Sequence, residues 1–214
     1  MKYTSAILGC GPRSVSHVRA YEGIDEISLR AVCDRDRRRL NACLKRFHVP
    51  AGYGDLDEML SREKPDILHI VTPPDIREQP METAARHGVR GIIVEKPIAL
   101  NPSQAGTIRE LAEKERLKIA VNMQRRYFHT CVGLKNVLDA GTIGKIDFIR
   151  CVTKGNILSM GPHMVDLLLY LLGDIEPQRV WATAWGMNGY DYNHPAPANM
   201  LIEYVFPGNT VVYC

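Results

Sequence analysis

The first 34 residues constrain the possible fold more than any other part of the chain. A short apolar run at residues 6–8 leads into Gly9 and Gly11, a helical pattern follows, and a second apolar run at residues 29–33 ends at Asp34. The βαβ unit that binds dinucleotides has this pattern: a strand, a tight glycine turn, a helix, a second strand and an acidic residue, in that order. The sequence therefore predicts a dinucleotide-binding domain at the start of the chain.

Each part of this pattern has a physical role in binding. Gly9 permits the sharp turn out of the strand, and Gly11 lets the backbone approach a pyrophosphate. Asp34 lies where a carboxylate can bind both ribose hydroxyls of an adenosine. Ser14 stands in place of the third glycine of the usual fingerprint, so the match is incomplete. The cofactor contacts predicted in this segment are Gly9, Cys10, Gly11, Pro12, Arg13, Asp34 and Arg35.

Further along, helical patterns alternate with short apolar runs, of which residues 67–71 and 91–94 are nearly all apolar. This alternation predicts an α/β domain with a doubly wound parallel sheet and right-handed crossovers. Ligands bind such sheets at the carboxyl ends of the strands. The further cofactor contacts predicted at these ends are Thr72, Pro73, Pro74, Glu95, Lys96 and Asn122.

Two smaller features of this half also lead to predictions. Residues 52–54, Gly-Tyr-Gly, are interpreted as a short connection between helices. A helix is predicted over residues 101–115, with Ser103 as a candidate cap.

The pattern changes near residue 125, which divides the chain into predicted domains 1–123 and 124–214. A helix over 127–140, a leucine-rich helix over 161–172, and strand-like stretches at 179–185, 200–206 and 210–213 predict an α+β domain. Its sheet is expected to be open and largely antiparallel. The chain stops in the middle of a strand pattern. We therefore expect either a shortened or fragmentary chain, or a sheet edge covered by a partner subunit.

Composition excludes several functional classes. The formal net charge of +3 is too small to predict binding to nucleic acid. No apolar run approaches the length that spans a membrane, and the amino terminus lacks a signal-peptide pattern. The six cysteines are scattered without a Cys-x-x-Cys motif, which predicts reduced thiols in a cytoplasmic protein and no metal site.

Seven motifs together resemble the Gfo/Idh/MocA oxidoreductases, the group of glucose–fructose oxidoreductase and inositol dehydrogenase. In chain order they are GCGPRS, VCDRD, VTPP, GIIVEKPIAL, RRY, GTIGKI and GPHMVDLLLYLLG. The resemblance implies a Rossmann domain followed by an α/β domain with a large open sheet, which commonly forms oligomer interfaces in the family. It also implies oxidation or reduction of sugars, cyclitols and related hydroxyl compounds with NAD or NADP.

The same resemblance implies which residues carry the chemistry. Lys96, within Glu-Lys-Pro, is expected near the nicotinamide and the substrate hydroxyl, as the group that takes the hydroxyl proton. Glu95 is either a cofactor contact or an ion-pair partner of Lys96, and Pro97 is expected to follow a cis bond. His163 is the second catalytic candidate. Asp166 lies one helical turn away and could orient its imidazole.

Two positions depart from the family pattern. Ser159 stands where many relatives carry an aspartate that takes part in proton transfer. Either Lys96 and His163 suffice, or the serine hydroxyl only binds substrate, or dehydrogenation is impaired. The histidine usual after Thr-Pro-Pro is absent, and residues 75–77, Asp-Ile-Arg, stand there.

The sequence thus predicts an NAD(P)-dependent oxidoreductase that transfers hydride between a nicotinamide and a hydroxyl or keto group of a sugar or polyol. Asp34 repels a 2′-phosphate and favours NAD, whereas Arg35 and Arg38 could neutralise that phosphate and allow NADP. Homo-oligomerisation through the carboxy-terminal sheet is expected. Two alternatives stay open, a glycosidase or lyase that retains NAD, and a non-catalytic sensor or scaffold that binds a dinucleotide.

Overall fold

The computed structural model describes residues 2–155, 157–186, 189–191 and 194–214. The chain forms two compact units, Met1–Asn122 and Met123–Cys214, so the division falls one residue before the boundary expected from the sequence.

The first unit is built on a six-stranded sheet in which every pair of neighbouring strands is parallel. Its strand order is β3-β2-β1-β4-β5-β6. The chain extends the sheet on one side of β1 and then crosses to the other side with β4, so a crevice is expected beyond the carboxyl ends of β1 and β4. The strands are β1 (Tyr3–Leu8), β2 (Ile27–Cys33), β3 (Ala51–Tyr53), β4 (Ile67–Ile70), β5 (Gly91–Val94) and β6 (Lys118–Val121).

Five α-helices connect these strands: α1 (Ser14–Ala20), α2 (Arg37–Phe47), α3 (Leu56–Glu63), α4 (Glu78–Arg86) and α5 (Pro102–Glu115). The α2 helix begins after Asp36, whose carboxylate accepts from the main-chain N–H groups of Arg38 and Arg39. The predicted cap of α5 was wrong. Asn101, not Ser103, caps this helix by accepting from the N–H of Gln104, because the first N–H groups of the helix lie within reach of the residue before it.

The interpretation of residues 52–54 as a connection was also wrong in part. Gly52 and Tyr53 belong to β3, which pairs with the end of β2. A Cβ at Gly52 would lie 2.5 Å from the side chain of Leu44 on α2, so the glycine lets the helix pack closely on this edge strand.

Both faces of the parallel sheet are buried. Ala6 belongs to a core cluster with Met59 and Met81, from α3 and α4. The next residue, Ile7, belongs to a second cluster with Val18 and Leu40, from α1 and α2. Successive side chains of a strand point to opposite faces, and helices cover both, which explains why these strands are nearly continuous apolar runs.

The second unit is a smaller α+β structure. Its four-stranded sheet has the order β7-β12-β11-β8, with β7 and β12 parallel and the other two pairs antiparallel. Leu168 of α7 shares a core cluster with Ile202 and Val212 of this sheet and with Phe206, which directly follows β11. The elements are α6 (His129–Asp139), β7 (Phe148–Arg150), α7 (Gly161–Leu171), β8 (Arg179–Trp185), β9 (Gly189–Asp191), β10 (His194–Ala196), β11 (Asn199–Val205) and β12 (Val211–Tyr213).

Two details of this unit differ from the sequence analysis. The helix predicted from residue 127 begins at His129, after a 3₁₀ turn at Gln124–Tyr127. The short hairpin of β9 and β10 was not predicted, because strands of three residues carry too little alternation to be recognised.

Apolar side chains are exposed on β8, where Trp181 is 54% accessible and Val180 and Trp185 are similarly open. That a partner subunit covers this sheet stays a prediction. Among the residues that the structure describes, no helix combines the length and apolar character needed to cross a membrane.

The turn after β1 leads to a testable prediction about the two glycines. Gly9 has a φ of +100°, and a Cβ there would lie 2.5 Å from the carbonyl oxygen of Val71, whereas a Cβ at Gly11 would meet nothing within 4 Å. We expect Gly9→Ala to lower the free energy of unfolding by about 2 kcal/mol or more, and Gly11→Ala by less than about 1 kcal/mol. Urea denaturation measures both. Equal losses would contradict this account of the turn.

Candidate functional site

Asp34 ties the glycine turn to the end of β2. One carboxylate oxygen accepts from the N–H of Cys10 at 2.8 Å, and the other accepts from the N–H of Asp36 at 2.8 Å. The guanidinium of Arg39 donates to both oxygens, at 3.0 and 2.8 Å. Burial alone would raise the pKa of Asp34, but the hydrogen bonds from Arg39, Cys10 and Asp36 outweigh it and hold the pKa below its usual value. Asp34 is therefore an ionised carboxylate held in place by four hydrogen bonds, two to each oxygen.

A cavity of about 360 Å³ opens beside this carboxylate. The predicted residues that line it together are Gly9, Gly11, Asp34, Arg35, Thr72 and Pro73. It is also lined by Arg39, Asp55, Asp57, Ile76, Gln79 and Arg86, which the sequence analysis did not predict as cofactor contacts. The predicted residues Cys10, Pro12, Arg13, Pro74, Glu95, Lys96 and Asn122 do not line this cavity. Within the described part of the chain, the hydroxyl oxygen of Thr72 is buried without a hydrogen-bond partner.

Arg39, rather than Arg38, is the arginine that reaches Asp34. The side chain of Arg38 is 94% accessible, and its nearest carboxylate is that of Asp36 at 3.9 Å. The sequence analysis named Arg38 only as a group that could neutralise a 2′-phosphate, and it did not name Arg39. The missed signal was helical spacing, because Asp34 and Arg39 approach each other only once the cap at Asp36 fixes where α2 begins.

Glu95 gathers a second set of polar groups at the end of β5. One of its oxygens accepts from Arg13 at 2.8 Å, from His17 at 2.9 Å and from the amide of Asn122 at 2.7 Å. Burial would raise the pKa of Glu95, but the hydrogen bonds from His17, Asn122 and Arg13 lower it to about 2. The carboxylate thus joins the glycine turn, α1 and the end of β6.

The expected ion pair between Glu95 and Lys96 is not formed, since the ion pairs of Glu95 go to Arg13 and His17. Strand alternation supplies the reason. Ile93 pairs with His69 on the sheet face below α1, so Glu95, two residues later, continues on that face while Lys96 leaves it. Lys96 is itself buried, and its peptide bond to Pro97 is cis, as the resemblance implied.

A buried chain of hydrogen bonds continues from Glu95 below α1. Nδ1 of His17 lies 3.0 Å from Nδ1 of His69, and Nε2 of His69 lies 2.9 Å from the hydroxyl of Tyr21. Burial, with a smaller contribution from His17, lowers the pKa of His69 to about 3. The sequence analysis missed these residues. The available signal was a histidine within an otherwise apolar strand and another on α1 four residues before a tyrosine.

Arg77 connects the loop after β4 to the Glu-Lys-Pro turn. Its side chain is 1% accessible. The guanidinium donates to the carbonyl oxygen of Thr72 at 3.1 and 2.7 Å and to that of Lys96 at 3.5 Å, and it also donates to the carbonyl oxygens of Glu95 and Pro97. The sequence analysis noted this segment only because the family's histidine was missing from it.

In the second unit, His163 and Asp166 both lie on α7, and His163 is buried. The structure does not support the expected role of Asp166 in orienting the imidazole. Its two oxygens accept from Nε of Arg126, each at 2.9 Å. The fork of a guanidinium matches a carboxylate well, and Arg126 also pairs with Asp174 and stacks on Tyr170 with 5.3 Å to the ring centroid. Asp166 therefore fixes the turn that precedes α6 onto α7.

Fold and geometry together define a class of protein, namely one with a doubly wound dinucleotide-binding unit followed by a smaller α+β unit. Comparison with known families agrees. The chain belongs to the GFO_IDH_MocA oxidoreductase family with an NAD-binding Rossmann fold, whose family model matches residues 3–123.

Similar proteins of known activity include the D-apiose dehydrogenase of Paraburkholderia graminis. It is 28% identical over an alignment 191 residues long, and the match covers 81% of this chain and 51% of that protein. The myo-inositol 2-dehydrogenase of Thermotoga maritima is 24% identical over 82% of this chain and 56% of its own length. This chain thus spans about half the length of the curated relatives that it matches.

One solved structure shows how far the fold agrees. An oxidoreductase from Agrobacterium radiobacter, in complex with NAD⁺, L-tartaric acid and magnesium, has a TM-score of 0.85 and 22% identity, and the match covers 100% of this chain and 66% of that one. At this identity the likeness establishes the fold.

The position of Arg77 leads to a prediction about stability. Its replacement by methionine leaves buried carbonyl groups at two loops without their donor, so we expect Arg77→Met to lower the free energy of unfolding by about 3 kcal/mol. Arg77→Lys should recover little of that stability, because a single ammonium group cannot replace the several donors of a planar guanidinium. Differential scanning calorimetry measures both. The exposed Arg109→Met on α5 is the matched control, and a loss at Arg77 no larger than the control's would contradict the role assigned to this side chain.

Proposed function

We propose that this chain binds NAD in its first unit and serves a reaction that transfers hydride between the nicotinamide and a hydroxyl or keto group of a sugar, cyclitol or related polyol. The observation that carries the proposal is the cavity at the carboxyl ends of β1, β2 and β4, which brings the glycine turn, Asp34 and Thr72 to one place. The activity of the whole protein is part of the proposal, since this chain covers only part of its relatives.

The residues at this cavity fit a dinucleotide. A side chain at Gly11 would enter open space, so the backbone there is accessible to a pyrophosphate. The buried hydroxyl of Thr72 offers a donor that no described residue uses. The Asp34 carboxylate stands where ribose hydroxyls bind in this fold. We infer that these three groups hold the adenosine and phosphate part of the cofactor.

Lys96 is proposed as the catalytic group of the first unit. When bound, the cofactor supplies a ring that accepts or donates hydride. Oxidation of a hydroxyl also requires a base, and the proton passes from the hydroxyl oxygen to the nitrogen of Lys96. Arg77 binds the carbonyl oxygens of Glu95 and Pro97, on both sides of Lys96, so the amine that accepts the proton is carried on a braced turn. His163, on α7, is proposed to hydrogen-bond the substrate.

The substrate class rests on likeness. D-apiose dehydrogenase and myo-inositol 2-dehydrogenase, by name, act on a sugar and a cyclitol. A solved scyllo-inositol dehydrogenase from Lactobacillus casei contains NAD(H) and scyllo-inositol.

Ser159 favours one alternative, a protein that binds the dinucleotide without turnover, because a serine cannot replace the proton-accepting carboxylate that many relatives carry there. Absorbance of reduced nicotinamide during a screen of sugars and cyclitols separates the two functions.

The first test concerns Lys96. We expect Lys96→Met to lower kcat by about a thousandfold, because the base is lost, while NAD affinity stays within a few-fold of the original. Steady-state kinetics and titration calorimetry measure the two quantities. Lys118→Met, at the exposed start of β6, is the matched control and should change neither. Turnover that persists without Lys96 would refute the catalytic assignment.

The second test concerns the choice between NAD and NADP. We expect the protein to prefer NAD, because the Asp34 carboxylate repels a 2′-phosphate. The Arg39 guanidinium offsets part of that repulsion, so Arg39→Ala should lower NADP affinity about tenfold while NAD affinity is kept or increased. Arg38→Ala, on the exposed side of α2, should change neither affinity. A clear preference of the unmodified protein for NADP would overturn the choice of cofactor.

A further inference from the structure

The buried chain from Tyr21 to Glu95 has no role in the function proposed above. It runs through His69 and His17, with contacts of 2.9, 3.0 and 2.9 Å in sequence. Both histidines are at most 6% accessible. His69 lies opposite Ile7 in the sheet register, which places it on the face covered by α1. None of the four side chains lines the cavity beside Asp34.

The positions of the protons in this chain follow from the partners. The Glu95 carboxylate only accepts hydrogen bonds, so Nε2 of His17 carries a proton. The contact between the two Nδ1 atoms holds a single proton, because two bare nitrogens would repel and two protonated ones would clash. That proton belongs either to His69 or to His17, and each choice determines the rest of the chain.

When the proton between the rings belongs to His69, both rings are neutral. Nε2 of His69 is then bare and accepts from the hydroxyl of Tyr21, and every bond points from Tyr21 toward Glu95. When the proton belongs to His17, that ring carries both protons and is a cation. Nε2 of His69 is then protonated and donates to the oxygen of Tyr21, while the Tyr21 hydroxyl hydrogen points elsewhere.

These two arrangements differ by one proton. The cationic form arises when a proton from solvent bonds to the Tyr21 oxygen, the Tyr21 proton moves to Nε2 of His69, and the Nδ1 proton of His69 moves to Nδ1 of His17. No bond other than those to hydrogen changes, and His69 stays neutral throughout. The positive charge comes to rest on His17, directly against the Glu95 carboxylate.

Glu95 connects this charge to the groups around the dinucleotide site. The same oxygen that accepts from His17 accepts from Arg13, which directly follows the glycine turn, and from Asn122 at the end of β6. A pyrophosphate brought to the turn adds negative charge next to this cluster and competes with Glu95 for the Arg13 guanidinium. Both effects stabilise an additional positive charge on His17.

We propose that the Tyr21–His69–His17–Glu95 chain is a buried proton-binding site linked to the dinucleotide crevice, so that His17 takes up a proton when the cofactor binds. This inference rests on the proposed binding of NAD. In the described part of the chain, the charged and titratable groups of the hydrogen-bonded cluster around His17 are Arg13 and Tyr21, which flank α1, His69 of β4, and Glu95 just after β5. Because linkage is reciprocal, a fall in pH, which favours the added proton, raises cofactor affinity.

Titration calorimetry of the unmodified chain tests the proposal. NAD and NADH are titrated at pH 6, 7 and 8 in two buffers with different ionisation enthalpies, and the difference in heat gives the number of protons taken up. We expect up to one proton per cofactor at one pH or more, with NADH at least equal to NAD because its ring lacks the positive charge. His17→Gln should abolish the uptake. His87→Gln, which removes another histidine bonded to a carboxylate, should retain it.

The outcomes separate the two proposals. Absence of NAD binding overturns the proposed function and this inference together. NAD binding whose heat is the same in both buffers at every pH overturns this inference alone, and so does uptake that persists in His17→Gln.

Nuclear magnetic resonance of the unmodified protein gives a readout that does not depend on the folding of a variant. Long-range ¹H–¹⁵N correlations report which ring nitrogen of each histidine carries a proton. Without cofactor, His69 should be protonated at Nδ1, and with saturating NAD at the pH of largest uptake it should be protonated at Nε2. A purely structural role predicts no such change. The same His69 tautomer in both states overturns the proposal.

Discussion

The buried carboxylate of Glu95 holds in place the polar groups that gather at the carboxyl end of β5 in the first unit. A carboxylate loses its hydration when it is buried, and this loss is costly unless donors replace the water. Here the donors come from Arg13, His17 and Asn122, which belong to three separate segments of the chain. Hydrogen bonds to the carboxylate therefore hold each of these segments at the end of β5. The glycine turn, α1 and the end of β6 keep their relative positions because each supplies a hydrogen-bond donor that the buried carboxylate requires.

A similar constraint acts on the neighbouring loops. The loop after β4 and the Glu-Lys-Pro turn present carbonyl oxygens to the interior, where no regular structure satisfies them. The Arg77 guanidinium supplies several donors in one rigid plane, and these donors reach the carbonyl groups of Thr72 and of the turn around Lys96. The ordering of this turn is thus a consequence of a side chain that takes no direct part in the proposed chemistry.

The same electrostatic logic connects the proposed function to the proton site. A dinucleotide is an anion, and Arg13, which follows the glycine turn, is already paired with Glu95. In the proposed proton site, His17 adds positive charge there without movement of the backbone, because only the Tyr21–His69 and His69–His17 hydrogen bonds reverse direction. Asp34 with Arg39 beside the cavity, and Glu95 with Arg13 after the glycine turn, are then balanced pairs of fixed charge that a bound cofactor would disturb.

The sequence by itself determined the doubly wound architecture of the first unit, five of its six strands and the crevice expected at the strand ends, although it missed β3. Gly9, Asp34 and the apolar runs are local signals, because turn geometry and strand burial depend on residues that are neighbours in the chain. It also indicated the α+β character of the second unit, although it missed the hairpin of β9 and β10. The family resemblance named Lys96 and His163, whose roles stay predictions.

Only the tertiary structure decided which charges meet. Arg39 pairs with Asp34, Arg126 takes Asp166, and Glu95 turns away from Lys96 toward His17. His69 reaches His17 across 52 residues of chain, and Arg77 reaches the Glu-Lys-Pro turn across about 20. Long polar side chains can reach many partners from any one position. Which partner they take depends on how the strands and helices are stacked, and periodicity in the sequence carries no information about contacts of that range.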